Sequence, residues 1–188
     1  LSVRKEEISK RIQKRKLEEK RESLVQNLGE NIQVRRIANS DKTADAVGLY
    51  LHTNKKIASI VSLEGGDEIT AKDIAMHIAA SRPLFINEDQ VSQEILDKEK
   101  EIYTAQAQES GKPADIVEKM VEGRLKKFIK EITLLGQPFV KDPEKSIEKI
   151  LKSSDAKVLS FIRYEVGEGI EKRADNFVKE VMTQVKGS

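Results

Sequence analysis

Hydrophobic and polar positions change period several times along the 188 residues, and each change marks an element. From Val3 to Leu28 there is no Gly or Pro, and Ile8, Ile12, Leu17, Leu24 and Leu28 share one broad face of a helix that Gly29 ends. That apolar seam is thin for so long a helix. Ile32, Val34, Arg36 and Ala38 then alternate with Gln33, Arg35 and Ile37, the period of a short strand. Further on, Val47, Leu49 and Leu51 point one way, and Gly48, Tyr50 and His52 the other. After Thr53-Asn54-Lys55-Lys56 a second run, Ile57, Ser59, Val61 and Leu63, completes an antiparallel hairpin. Thr70 with Asp73 reads as a capping-box-like start for a helix that carries Ile74, His77, Ile78 and Ser81 and closes at Arg82-Pro83.

The clearest local pattern follows. Val91, Ile95, Lys98, Ile102 and Ala105 step by 4, 3, 4 and 3, a heptad seam with one Lys in it. Ser110-Gly111-Lys112-Pro113 places a Gly at a helix end and a Pro at the next helix start. Val117, Val121, Leu125, Phe128 and Ile132 carry the return helix, so this section is an antiparallel helical hairpin. Leu134-Leu135-Gly136-Gln137-Pro138-Phe139-Val140 reads as an apolar loop. Asp142-Pro143 reads as the start of a short helix bearing Ile147, Ile150 and Leu151. Val158, Ser160, Ile162 and Tyr164 alternate with Leu159, Phe161 and Arg163 as the last strand, and Phe177, Val181 and Val185 form an amphipathic C-terminal helix. The sum is α+β: a three-stranded antiparallel sheet with packed helices, an inserted coiled-coil hairpin, and a long helix plus one strand at the N-terminus.

Composition narrows the function. Lys+Arg 34 against Asp+Glu 32 leaves +2, too little net field to draw nucleic acid or a membrane surface. With no Cys and two His, thiolate or histidine metal sites, disulfides and thiol nucleophiles are excluded, and a reducing cytoplasm is permitted. No apolar run approaches the roughly 18 residues of a membrane span. No phosphate loop, zinc pattern or catalytic-triad spacing appears, so covalent catalysis is not expected. Lys10, Arg11, Lys14, Arg15 and Lys16 make a basic run that an RNA- or ribosome-associated protein would use. Glu6, Glu7, Glu18, Glu19 and Glu22 balance it, and no aromatic interleaves it for base stacking. The opening at Leu1 without Met, directly in a charged helix, reads as the C-terminal part of a longer protein.

Six segments in order resemble the bacterial elongation factor Ts family. They are Leu28-Gly29-Glu30-Asn31-Ile32 with Arg35-Arg36, then Ile74-Ala75-Met76-His77-Ile78-Ala79-Ala80-Ser81, then Ser110-Gly111-Lys112-Pro113. Lys119-Met120-Val121-Glu122-Gly123-Arg124, Gly136-Gln137-Pro138-Phe139-Val140 and Phe161-Ile162-Arg163-Tyr164-Glu165-Val166-Gly167-Glu168-Gly169 complete the set. The resemblance implies a guanine-nucleotide exchange factor that binds elongation factor Tu with GDP in the cytoplasm, without a cofactor, metal, membrane or direct nucleic-acid contact. It implies a remnant of the N-terminal core subdomain over 1–45 and a C-terminal core subdomain over 46–87 and 131–165. A dimerisation hairpin over 88–130, and with it a homodimer, and a C-terminal helical module over 166–188 complete the arrangement. The family's Thr-Asp-Phe-Val segment, whose Asp-Phe pair is pushed in beside the magnesium site of the partner, has no match in this sequence.

By the same resemblance the partner-binding residues are Leu28, His52, Gln137, Pro138, Phe139 and Val140, with Phe177 and Val181 on the terminal helix. His52 takes the place of a partner-contacting histidine, and Leu28 an apolar interface position that is equally the last core residue of its helix. Phe139 and Val140 form an apolar tip on a Gly-Pro loop, the kind of feature that makes a hot spot; the competing reading is a lid over the local core. Lys141 departs from the family, where that position is often apolar. His77, on the apolar side of its helix, reads as a core histidine.

Overall fold

The computed structural model describes residues 2–109 and 111–169, with side chains from Lys14 onward. It divides between Asn39 and Ser40 into two units. The first carries α1 (Ser2–Leu28), which ends where Gly29 takes a left-handed conformation (φ 71°). Its exposed side is laced by local ion pairs, Arg15–Glu19 at 3.0 Å and Arg21–Glu18 at 2.6 Å. The expected strand over 32–38 is not there. Residues 30–40 pair with no other strand among those described, and an alternating pattern without a partner edge has nothing to close its ladder on. The segment is held instead by Arg21, whose Nη1 donates to the Ile32 carbonyl at 3.2 Å. Val34 and Ile37 stay exposed.

In the second unit β1 (Ala46–Leu51) and β2 (Ile57–Gly65) form the expected hairpin, and β5 (Ala156–Glu165) joins the other side of β2. The sheet is antiparallel throughout, in the order β1-β2-β5. One face carries Ala46, Val61, Leu63 and Val158 into a core completed by Ala71, Ile74, Ala75 and Ile78 of α2 (Glu68–Ser81). Sheet and helix are also joined by a buried hydrogen bond, Ser59 Oγ donating to the Ala75 carbonyl at 2.5 Å. The cap of α2 lies one turn earlier than expected. Asp67 accepts from the Thr70 N–H at 2.6 Å, so Thr70 is the recipient of the cap rather than the cap itself.

The helical insertion is α3 (Gln93–Gln108) and α4 (Ala114–Ile132). Its seam differs from the heptad read along the sequence. Lys98, Ile102 and Ala105 are exposed, whereas Ala107, Val121 and Ile129 are buried. The Tyr103 ring meets Phe128 edge-on with centroids 6.5 Å apart. The helix turns its aromatic residue and small alanine toward its single neighbour, which leaves Lys98 outside to pair with Glu94 at 2.8 Å. The stem is tied by backbone hydrogen bonds: Leu84 N–H to the Ile132 carbonyl at 2.8 Å, Leu134 N–H to Phe85 at 2.8 Å and Leu135 N–H to Ile86 at 3.0 Å.

Two further departures follow the stem. The apolar loop closes as a small ribbon of β3 (Pro138–Phe139) and β4 (Asp142–Ser146). Asp142-Pro143 therefore opens a strand, where proline is tolerated at an edge, and Ser146 caps α5 (Ile147–Ser153) by accepting from the Lys149 N–H.

Candidate functional site

A groove of about 530 Å³ opens where the end of the β1–β2 hairpin, the last turn of α2 and the β3–β4 turn come together. Its apolar floor comes from Tyr50 and Ile57 of the hairpin and from Met76, Ala79 and Ala80 of α2, with Val140 at the lip. The rim is basic: His52, Arg82, Lys141 and Arg163 line it too. Strand period explains the first pair, since Tyr50 and His52 lie two residues apart and share a face. The Tyr50 hydroxyl sits 3.2 Å from His52 Nδ1, with the ring centroids 6.1 Å apart.

Each cation on the rim has a neighbour that fixes it. Arg163, nearly buried at 8% side-chain exposure, donates from Nε to the Ala79 carbonyl at 3.1 Å and from Nη2 to Glu165 at 2.9 Å. Arg82, in a left-handed conformation as the last residue of α2's cap, pairs with the same Glu165 carboxylate. The hydrogen bond from Arg163 and the charge of Arg82 hold Glu165 below the usual carboxylate range, so it stays ionised and anchors both guanidinium groups. Lys141 reaches Asp73 of α2 at 2.6 Å. The arrangement offers an apolar socket whose rim arginines and lysine are each held by a carboxylate, Arg82 and Arg163 by Glu165 and Lys141 by Asp73. Among the described residues no group of three or more His, Cys, Asp or Glu is placed to hold a metal ion, and no helix is long and apolar enough to cross a membrane.

Of the residues singled out from the sequence, His52 and Val140 come together at this groove. Pro138 is exposed at the start of β3. Gln137 and Phe139 point inward in this chain, 5% and 7% exposed, and Phe139 belongs to the core, the placement of a lid over the local core. A two-residue strand alternates its side chains, so with Pro138 outside, Phe139 faces inward. Leu28 is exposed in the last turn of α1, in the first unit. Phe177 and Val181 lie outside the described residues. Tyr50, Met76, Arg82 and Arg163 were not singled out as site residues; the shared face of Tyr50 and His52 was the one signal in the sequence that could have found a member of this set.

Under the groove lies His77, fully buried. Its Nδ1 accepts from the Val140 N–H at 3.3 Å, which leaves the ring proton on Nε2, 2.9 Å from Gln137 Oε1. Burial pushes the ring below the ordinary histidine range, and the hydrogen bond to Gln137 opposes that only in part. In the unfolded chain the ring takes up its proton first, at about pH 6.5. The stability this histidine contributes is therefore complete above that pH and declines as the pH falls from there toward the folded value. The carboxylates held low, among them Asp41, Asp67, Asp142, Glu148 and Glu165, lose their contribution only below about pH 4.3 and on down through their folded values. Melting temperature is thus expected to fall from pH 7 to pH 5 and to fall less steeply in His77→Gln. Equal slopes for the two proteins would contradict the assignment.

Residues 2–168 match the sequence model of the family described as elongation factor TS. The chain belongs to that family. Elongation factor Ts of Thioalkalivibrio sulfidiphilus is 58% identical over 173 residues, covering 92% of this chain and 59% of that protein. Elongation factor Ts of Francisella tularensis subsp. novicida is 55% identical over 170 residues, covering 90% of this chain and 58% of that protein. The chain thus spans about three-fifths of the length of the curated elongation factor Ts relatives it matches.

Proposed function

We propose that this chain is the elongation factor Tu-binding part of a translation elongation factor that exchanges guanine nucleotide on its partner. The observation that carries the reading is the meeting of His52 and Val140, far apart in sequence, on one apolar groove in a member of the elongation factor Ts family. The groove would take an apolar side chain of the partner, with the paired polar groups of Arg82, Arg163 and Lys141 forming its rim. Exchange needs no covalent step: whatever factor the protein removes from nucleotide affinity, nucleotide removes from the protein's affinity. The setting would be the cytoplasm, where translation runs.

Binding and exchange should separate in this chain. Because no segment matches the family's Thr-Asp-Phe-Val, we expect it to bind elongation factor Tu with GDP while accelerating GDP release little. Stopped-flow release of fluorescent GDP, with this chain beside a full-length relative, measures the difference, and acceleration approaching the full-length protein would sink the claim. A protein partner is favoured over RNA by the near balance of charge, Lys+Arg 34 against Asp+Glu 32, and within the basic run Arg15 is already paired with Glu19. A homodimer through 88–130 is a separate proposal, supported by the exposed Ile102 and Ile116 on the hairpin.

A further inference from the structure

The Val140 tip stands on a chain of buried hydrogen bonds that begins at two helix ends. Gln137 Nε2 donates to the Glu131 carbonyl near the end of α4 at 2.5 Å and lies 3.4 Å from the Ser81 carbonyl at the end of α2. Its Oε1 accepts from His77 Nε2, and His77 Nδ1 in turn accepts from the Val140 N–H. The Ser81 hydroxyl lies 3.4 Å from the same Nδ1. Only the neutral ring with its proton on Nε2 satisfies both ends of this chain. Close packing closes the remaining freedom: a Cβ on Gly136 would stand 2.8 Å from Lys130 Cα, so the loop lies directly on α4.

We propose that His77 and Gln137 form a positioning clamp that fixes the backbone of Val140 and thereby sets the affinity of the groove for its partner. The inference rests on the reading of the groove as the elongation factor Tu contact. A core could be filled by two apolar side chains without the cost of burying an imidazole and an amide. What an apolar pair would not supply is an acceptor for the one N–H that carries the lip of the groove. Val140 keeps its side chain 46% exposed while its backbone is held from below. His77 is therefore not a contact residue, and its effect on binding passes through Val140.

The test is a double-mutant cycle on the 188-residue chain, with His77→Phe, His77→Gln, Val140→Ala and the double variants binding elongation factor Tu with GDP. All are measured well below their melting transitions. His77→Phe fills the space but lacks both hydrogen bonds, and its affinity should drop roughly five- to tenfold. His77→Gln, with one acceptor and one donor, should recover most of that. In the Val140→Ala background His77→Phe should cost less than about twofold, because coupled residues are non-additive. Unchanged affinity in folded His77→Phe, or full additivity with Val140→Ala, would overturn the clamp.

A measurement on the free parent chain keeps the inference testable if His77→Phe does not fold. The Val140 amide should exchange with solvent at least about tenfold more slowly than that of Lys141, with His77 Nδ1 giving the nitrogen shift of an unprotonated acceptor. Equal exchange rates would overturn it. Failure of the parent chain to bind elongation factor Tu at all would sink the partner reading, and the affinity half of the inference with it. The amide measurement would then still decide whether the clamp fixes Val140.

Discussion

Gly48→Ala is expected to destabilise the second unit by about 3 kcal/mol or more, at or beyond the upper end of ordinary overpacking. Strand β1 lies so close to α2 at this point that a Cβ on residue 48 would stand 2.0 Å from the Ala71 carbonyl oxygen, 2.2 Å from its carbon and 2.7 Å from the Lys72 nitrogen. All three are backbone atoms near the start of α2, so no side chain can swing away to make room. Relief requires moving strand from helix, which opens the core around Ala46, Ala71 and Ile74 and tilts the hairpin that carries Tyr50 and His52. Against a typical total of 5–15 kcal/mol, such a loss removes much of the margin. Urea denaturation of the two proteins would measure it, and a change below about 1 kcal/mol would show that β1 can lift away freely. Gly123→Ala is the internal control, because a Cβ there meets nothing within 4 Å on an open stretch of α4. It should be neutral or stabilising by up to about 1 kcal/mol.

Val140→Asp carries the other large effect, on binding rather than folding. The side chain is exposed in the free chain, so the melting temperature should move little, as for most surface changes. In the complex the same position would bury a carboxylate where an apolar contact is wanted. Losing an apolar anchor and desolvating a charge together cost about 2–4 kcal/mol. At 1.4 kcal/mol per factor of ten, affinity for elongation factor Tu should fall by roughly 30- to 1,000-fold. Calorimetric titration of the two proteins decides it. An affinity within about threefold of the parent, in a protein that melts normally, would place the contact elsewhere.

The two substitutions also mark what the sequence could and could not reveal. Elements with strong periodicity were legible: the β1–β2 hairpin, α2, the paired helices and β5 all form where apolar spacing put them. Features that depend on a neighbour were not. The alternation over 32–38 looks like a strand, but only a partner edge makes one. The seam of α3 has two candidate faces, and the choice falls to whichever fits the single helix beside it. In β5 the register shifts between the partners of Ser62 and Leu63, so Val158 and Phe161 both reach the core although strict alternation puts them on opposite faces.

The groove was half legible. His52 and Val140 emerged from family resemblance, yet nothing linear in the chain joins residue 52 to residue 140, or either to Arg163. The same limit explains why Phe139 and Val140 looked alike as an apolar pair. Burial separates them, and burial is decided by which side of a two-residue ribbon faces α2. His77 was legible as a core histidine, but its hold on Val140 was not, since that bond runs to a backbone N–H that no side-chain pattern reports.

The stem at Leu84–Ile86 and Ile132–Leu135 has an evolutionary consequence. The chain leaves the core and re-enters it side by side, with backbone hydrogen bonds already joining the two crossings. Everything between them is a cassette: it can lengthen, shorten or be exchanged while the ends stay closed and the strands that build the groove keep their order. The arm can thus change in length or sequence without reordering the strands and helices that line the groove.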